Sequence, residues 1–136
     1  MKHRPRSVVT FSGGVDSATL LYHLRGEGRD VLADYLESLQ RIATLDAATV
    51  HPSHGDEFTH LAERTREMAR HHQWRCQTIR QAIEDGARTA HAVVERLWQQ
   101  RLSPFQHRFA LFEVMAHIEH MRRRGEDLPG FGPASA

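Results

Sequence analysis

The stretch from Glu57 to Asp85 contains neither proline nor glycine and is rich in good helix formers. It predicts one long helix, or two helices joined by a kink, that ends at Gly86. The residues expected on its inner face are Leu61, Met68, Cys76, Ile79 and Ile83. A helix of this length in a chain of 136 residues predicts a mainly α fold.

The remainder of the chain after Gly86 also has helical signals. Thr89 is expected to cap a short helix from Ala90 to Trp98, and Ser103 with Pro104 to open another helix that runs to Arg124. Further apolar residues recur at helical spacing, and their burial would complete a helical core: Val93, Leu97, Trp98, Phe109, Phe112, Met115 and Ile118. The Pro- and Gly-rich residues 127–136 are expected to form a flexible tail.

The N-terminal residues have the pattern of a small α/β piece. A short apolar run from Val8 to Phe11 predicts a strand, and Asp16 to Arg25 predicts a helix. Between them lies a Gly-containing turn whose candidate phosphate-binding residues are Ser12, Gly13, Gly14, Asp16 and Ser17. A glycine turn at a helix N-terminus offers free N–H groups to an anion. Beyond this piece, Val31 to Ala33 predicts the start of a second strand.

The run from Ser12 to Ser17 resembles the phosphate loop of the PP-loop ATP pyrophosphatases, and most closely that of the 7-cyano-7-deazaguanine synthase family of queuosine biosynthesis. The resemblance covers residues 1–33 and implies ATP as the ligand of the loop. The rest of that family's nucleotide site and its cysteine zinc site have no counterpart here, because Cys76 is the single cysteine. This alternative therefore implies weak nucleotide or phosphate binding without turnover.

A second resemblance begins at Asp34. An amphipathic segment from Asp34 to Leu45, a brief strand from Ala48 to His51 and a turn from Pro52 to Asp56 follow one another. Residues 34–56 are similar to the terminal αβ segment of the metallo-β-lactamase-fold hydrolases, and residues 57–126 to the winged-helix-like helical tail of their lactamase-β-2-like subgroup. The resemblance implies that His54 is a zinc ligand, although Ser53 replaces the glycine that precedes it in that family.

The zinc site of these hydrolases also needs a His-x-His-x-Asp-His cluster, which this sequence lacks. Because catalytic zinc takes three protein ligands, the chain is expected to bind no zinc and to be inactive alone, and no catalytic residue is assigned. The two resemblances meet between Asp30 and Asp34. The sequence thus resembles the N-terminal segment of one enzyme joined to the C-terminal segment of another.

Other classes of function receive less support from the sequence. A winged-helix interaction module is a second alternative, but the net charge of +1 does not favour nucleic acid, and Arg122 to Arg124 suit a helix C-terminus in any case. His117 and His120, three residues apart, are interpreted as surface histidines and not as a metal site. No apolar run has the length of a membrane span, which predicts a cytoplasmic protein, and the oligomeric state stays open.

Overall fold

The structure, a computed structural model, describes residues 7–10, 28 and 30–131. Its elements in chain order are β1 (Ser7–Thr10), α1 (Val31–Ala43), β2 (Thr49–Pro52), α2 (Leu61–Glu84), α3 (Ala90–Leu97) and α4 (Pro104–Arg123). The prediction of a mainly helical protein is confirmed. Within these residues, no helix combines the length and the apolar character needed to cross a membrane.

The two described strands form a small parallel sheet. β1 pairs with β2 in a register that places Ser7 opposite Thr49 and Thr10 opposite Pro52. A strand therefore lies close to the position predicted for Val8 to Phe11. The loop from Ser12 to Ser17 and the helix predicted from Asp16 to Arg25 lie outside the described residues.

Helix α1 corrects one prediction. Val31 to Ala33 form its first turn and not a strand, because the side chain of Asp30 accepts a hydrogen bond from the Ala33 N–H at 3.0 Å and caps the helix. Leu32 and Leu39 are buried, whereas Leu45, at the end of the predicted amphipathic segment, follows the helix and is 48% exposed.

Local capping sets the ends of the three C-terminal helices. After α2, Gly86 has a φ of +97°, and its N–H donates to Ile83 while the Ala87 N–H donates to Ala82, the Schellman pattern. Thr89 caps α3 by accepting from the Ala92 N–H, and a capping box of Ser103 and Gln106 opens α4. The predicted starts of α3 and α4 are thereby confirmed.

One hydrophobic core joins α2, α3 and α4. Its buried members are Ile79, Ala82, Ile83, Ala87, Val93, Val94, Ala110, Val114, Ile118, Met121 and Leu128. Phe109, Phe112 and Met115, which the sequence places in this core, are only half-buried, since the buried face of α4 is formed by other residues, among them Val114, Ile118 and Met121. Phe131 also packs against the core, so this part of the expected tail is packed. Residues 59–131 contain helices and no strand, so a wing is not seen in this segment.

Candidate metal turn and buried histidine layer

The turn that carries His54 lies between β2 and α2. Its base is closed by two backbone hydrogen bonds, since the Val50 N–H donates to Phe58 O at 2.8 Å and the Phe58 N–H donates to Val50 O at 3.1 Å. The Nδ1 atom of His51 lies 2.8 Å from a carboxylate oxygen of Glu57 across the turn. Gly55, with a φ of +88°, supplies the left-handed conformation that the reversal needs. The turn thus has a fixed base and presents an exposed His54 at its tip.

The residues around His54 do not complete a metal site. Among residues 7–10, 28 and 30–131, no group of three His, Cys, Asp or Glu side chains is arranged to hold a metal ion. A catalytic zinc ion requires three protein ligands and one open position. Within the described part of the chain, the exposed His54 therefore belongs to no set of three possible ligands. The predicted phosphate-binding residues Ser12, Gly13, Gly14, Asp16 and Ser17 lie outside the described residues.

Helices α2 and α4 meet at a pair of histidines. The Nδ1 atom of His72 lies 3.1 Å from the Nε2 atom of His117, and their rings stack with centroids 5.2 Å apart. The Nδ1 atom of His117 lies 2.7 Å from the carbonyl oxygen of Glu113, which can only accept a hydrogen bond. His117 therefore carries its proton on Nδ1, and its Nε2 accepts from the Nδ1–H of His72. Both hydrogen bonds form when the two rings are neutral.

The surroundings of the pair favour the neutral state. Burial, with smaller contributions from neighbouring charges, lowers the pKa of His72 to about 4 and that of His117 also to about 4. Arg75 is one of these charged neighbours. Its Nε atom lies 2.9 Å from a carboxylate oxygen of Glu113, and its guanidinium carbon lies 4.5 Å from the centre of the Trp98 ring. At neutral pH the pair is thus an uncharged bridge between α2 and α4.

His120 forms a second link, between α4 and the start of α1. Its Nδ1 atom lies 2.9 Å from a carboxylate oxygen of Asp30, and its side chain is 9% exposed. Asp30 therefore both caps α1 and contacts α4.

The structure corrects the interpretation of His117 and His120 as surface residues, because both are buried. The signal that was missed is periodicity. His72 continues the inward stripe of α2 that includes Thr65, Cys76 and Ile79, and His117 follows Ala110 and Val114 at helical spacing. A histidine is polar and is therefore expected at the surface even when its spacing matches a buried stripe. Here His72 and His117 can be buried because each has its partner on the other helix.

Comparisons with known proteins agree with the helical half of this architecture. Residues 76–127 match the family model "Metallo-beta-lactamase-like, C-terminal domain". No protein in a search of curated sequences matches significantly. The matched residues contain most of the hydrophobic core described above.

Two solved structures are similar to a larger part of the chain. A β-lactamase domain protein from Burkholderia ambifaria is 34% identical, with a TM-score of 0.66 over 72% of this chain and 30% of that one. A metallo-β-lactamase family protein from Thermus thermophilus is 31% identical, with a TM-score of 0.61 over 71% of this chain and 29% of that one. The chain thus spans less than a third of the length of either protein.

Proposed function

We propose that this chain is the C-terminal part of a metallo-β-lactamase-fold hydrolase, that it supplies one zinc ligand, His54, and that it is inactive alone. The observation that carries the proposal is the turn between β2 and α2. A short strand, a closed turn and an exposed histidine directly precede the helix that leads into the C-terminal domain. The similarity to about 30% of two solved proteins supports the same assignment.

The helical half acts in this proposal as a structural domain. Its core is apolar, and its buried histidines and Asp30 are engaged with one another or with backbone carbonyls. A side chain held in such contacts is not available to attack a substrate. In the complete enzyme, this domain would hold the turn in place and cover the substrate side.

The inactivity of the isolated chain can be tested by zinc-dependent hydrolysis of β-lactam, thioester and phosphodiester substrates. We expect no turnover above that of zinc ions without protein, because the residues that the structure describes do not assemble three zinc ligands. The matched variants are His54→Ala and His71→Ala, since both histidines are exposed. Zinc-dependent turnover that disappears in the first variant and persists in the second would overturn this proposal.

Phosphate binding by residues 12–17 is a second candidate. The specific observation in its favour is β1, since a strand directly before the loop is what the phosphate-loop pattern requires. The expected ligand is ATP or pyrophosphate, bound at roughly millimolar Kd because few contacts offset the entropy of association. A titration followed by NMR should shift the amide signals of Gly13, Gly14 and Ser17. Shifts confined to α2, α3 and α4 would contradict this candidate.

A further inference from the structure

Two histidines meet on the surface where α3 lies beside α4. The Nδ1 atom of His91 on α3 is 2.9 Å from the Nε2 atom of His107 on α4. Their ring centroids are 4.9 Å apart, with an angle of 65° between the rings. The side chain of His91 is 59% exposed and His107 is half-buried. The two ring nitrogens are therefore close together and within reach of solvent.

The helices hold these two nitrogens in place. Val93 and Val94 of α3 and Ala110 and Val114 of α4 are buried in the common core. The N-terminal caps of both helices are hydrogen-bonded, which fixes the first turns that carry the two histidines. The pair thus joins two packed elements, unlike two histidines on one flexible loop.

A carboxylate lies beside the outer nitrogen of His91. The Nε2 atom of His91 is 3.4 Å from a carboxylate oxygen of Glu95, one helical turn further along α3. A carboxylate in this place favours the proton on Nε2 and leaves the lone pair on Nδ1, the atom that faces His107. Metal-bound histidines commonly have this carboxylate partner on their second nitrogen.

We propose that His91 and His107 form a two-imidazole binding site for a first-row divalent transition-metal ion, of which Cu²⁺ is the best fit. Two nitrogen ligands at about 2.0–2.1 Å from an ion, with an angle of about 90° between them, lie roughly 2.9 Å apart, which is the cis arrangement of tetragonal Cu²⁺. The rings need only rotate to aim both lone pairs at one ion. Water completes the coordination, since the described residues offer no set of three such ligands.

The bound ion would link α3 to α4 across their solvent-facing edge. A ligand that binds the folded chain and not the unfolded one raises stability by mass action. The site is separate in sequence from His54 and does not depend on the proposed hydrolase ancestry. The role assigned to the ion is this link between the two helices.

The test is a Cu²⁺ titration of the full chain, followed by electron paramagnetic resonance and by thermal melting. It is done in a His3→Ala background, because a histidine in the third position competes for Cu²⁺ together with the amino terminus. We expect a spectrum with two nitrogen ligands and a rise in Tm at saturating Cu²⁺. His91→Ala and His107→Ala should each weaken binding at least tenfold and abolish the rise, whereas His54→Ala should change neither.

The inference would be overturned by equal Cu²⁺ affinity in the background protein and in the His91 and His107 variants. That result would mean adventitious binding elsewhere. A loss of binding in His54→Ala alone would also overturn it, because the ion would then belong to the turn after β2. Zn²⁺ should bind more weakly than Cu²⁺ at an imidazole site, and the reverse order would contradict the proposed geometry.

Discussion

Lowering the pH from 7 to 5 should destabilise the folded chain through His72 and His117. Both pKa values lie at about 4 in the folded protein, compared with 6.5 for an unperturbed histidine. Between these values the unfolded chain binds more protons than the folded one. The free energy of unfolding therefore falls as the pH drops from about 6.5 towards 4, and this contribution is fully present above pH 6.5.

The magnitude follows from the shifted pKa values. For the buried His117, the linkage relation gives a loss of about 2 kcal/mol between pH 7 and pH 5. The half-buried His72 is counted at about 1 kcal/mol, because solvent screens part of the effect. The expected total is about 3 kcal/mol, which is a large part of the stability of a typical small domain.

The assay is urea unfolding followed by far-UV circular dichroism at pH 7 and pH 5, for wild type and for His117→Gln. Glutamine can still donate to the Glu113 carbonyl and accept from His72, but it does not titrate. The variant should lose about two thirds of the pH dependence, because about 2 of the 3 kcal/mol come from His117. His91→Gln, an exposed control, should retain the wild-type dependence.

Equal pH dependence in wild type and His117→Gln would refute the reasoning. So would an NMR titration of the His117 ring with a midpoint near 6.5, since it would show that the ring is not kept neutral by burial. The interval from pH 7 to pH 5 is chosen because most carboxylates titrate below it.

Two further substitutions test the hydrophobic core and the contact between Asp30 and His120. Ile83→Ala should lower the free energy of unfolding by about 2–5 kcal/mol, because Ile83 is fully buried, whereas Leu45→Ala at an exposed position should stay within about 0.5 kcal/mol in the same urea assay. Asp30→Ala should cost about 2 kcal/mol, because it removes the α1 cap and leaves His120 without its partner, and Asp30→Asn should restore most of the loss. Equal stability of the two Asp30 variants and wild type by urea unfolding would contradict the role of this link.

The local signals in the sequence were sufficient to predict the end of α2 and the starts of α3 and α4. Gly86, Thr89 and Ser103 act through hydrogen bonds to residues within a few positions of themselves, so their effect can be read from a short window. The strand predicted to begin at Val31 is wrong, and Asp30 explains why. It is followed by the β-branched Val31, which favours a strand by propensity, but its carboxylate caps a helix whose Leu32 and Leu39 are buried.

The buried histidine contacts depend on partners distant in the chain. His72 and His117 are 45 residues apart, and Asp30 and His120 are 90 apart. Nothing in one sequence specifies which helix will cover a polar residue. The spacing of His72 within the apolar stripe of α2 could have indicated burial, but not its partner. The assignment of His54 as a ligand depends on resemblance, because the described residues contain no group of three side chains that could hold a metal ion.

The most direct test of the central proposal is the zinc content of a fusion protein. Residues 30–136, which keep α1 and its Asp30 cap, would replace the similar C-terminal segment of the Burkholderia ambifaria β-lactamase domain protein. Under the proposal, the other ligands would come from the remaining chain of that protein. After dialysis against zinc and then against a weak chelator, we expect the fusion to retain zinc, the His54→Ala fusion to lose part or all of it, and the His60→Ala fusion to match the parent fusion. Equal zinc content with and without His54 would contradict the proposal that this chain supplies a ligand to a metallo-β-lactamase-fold site.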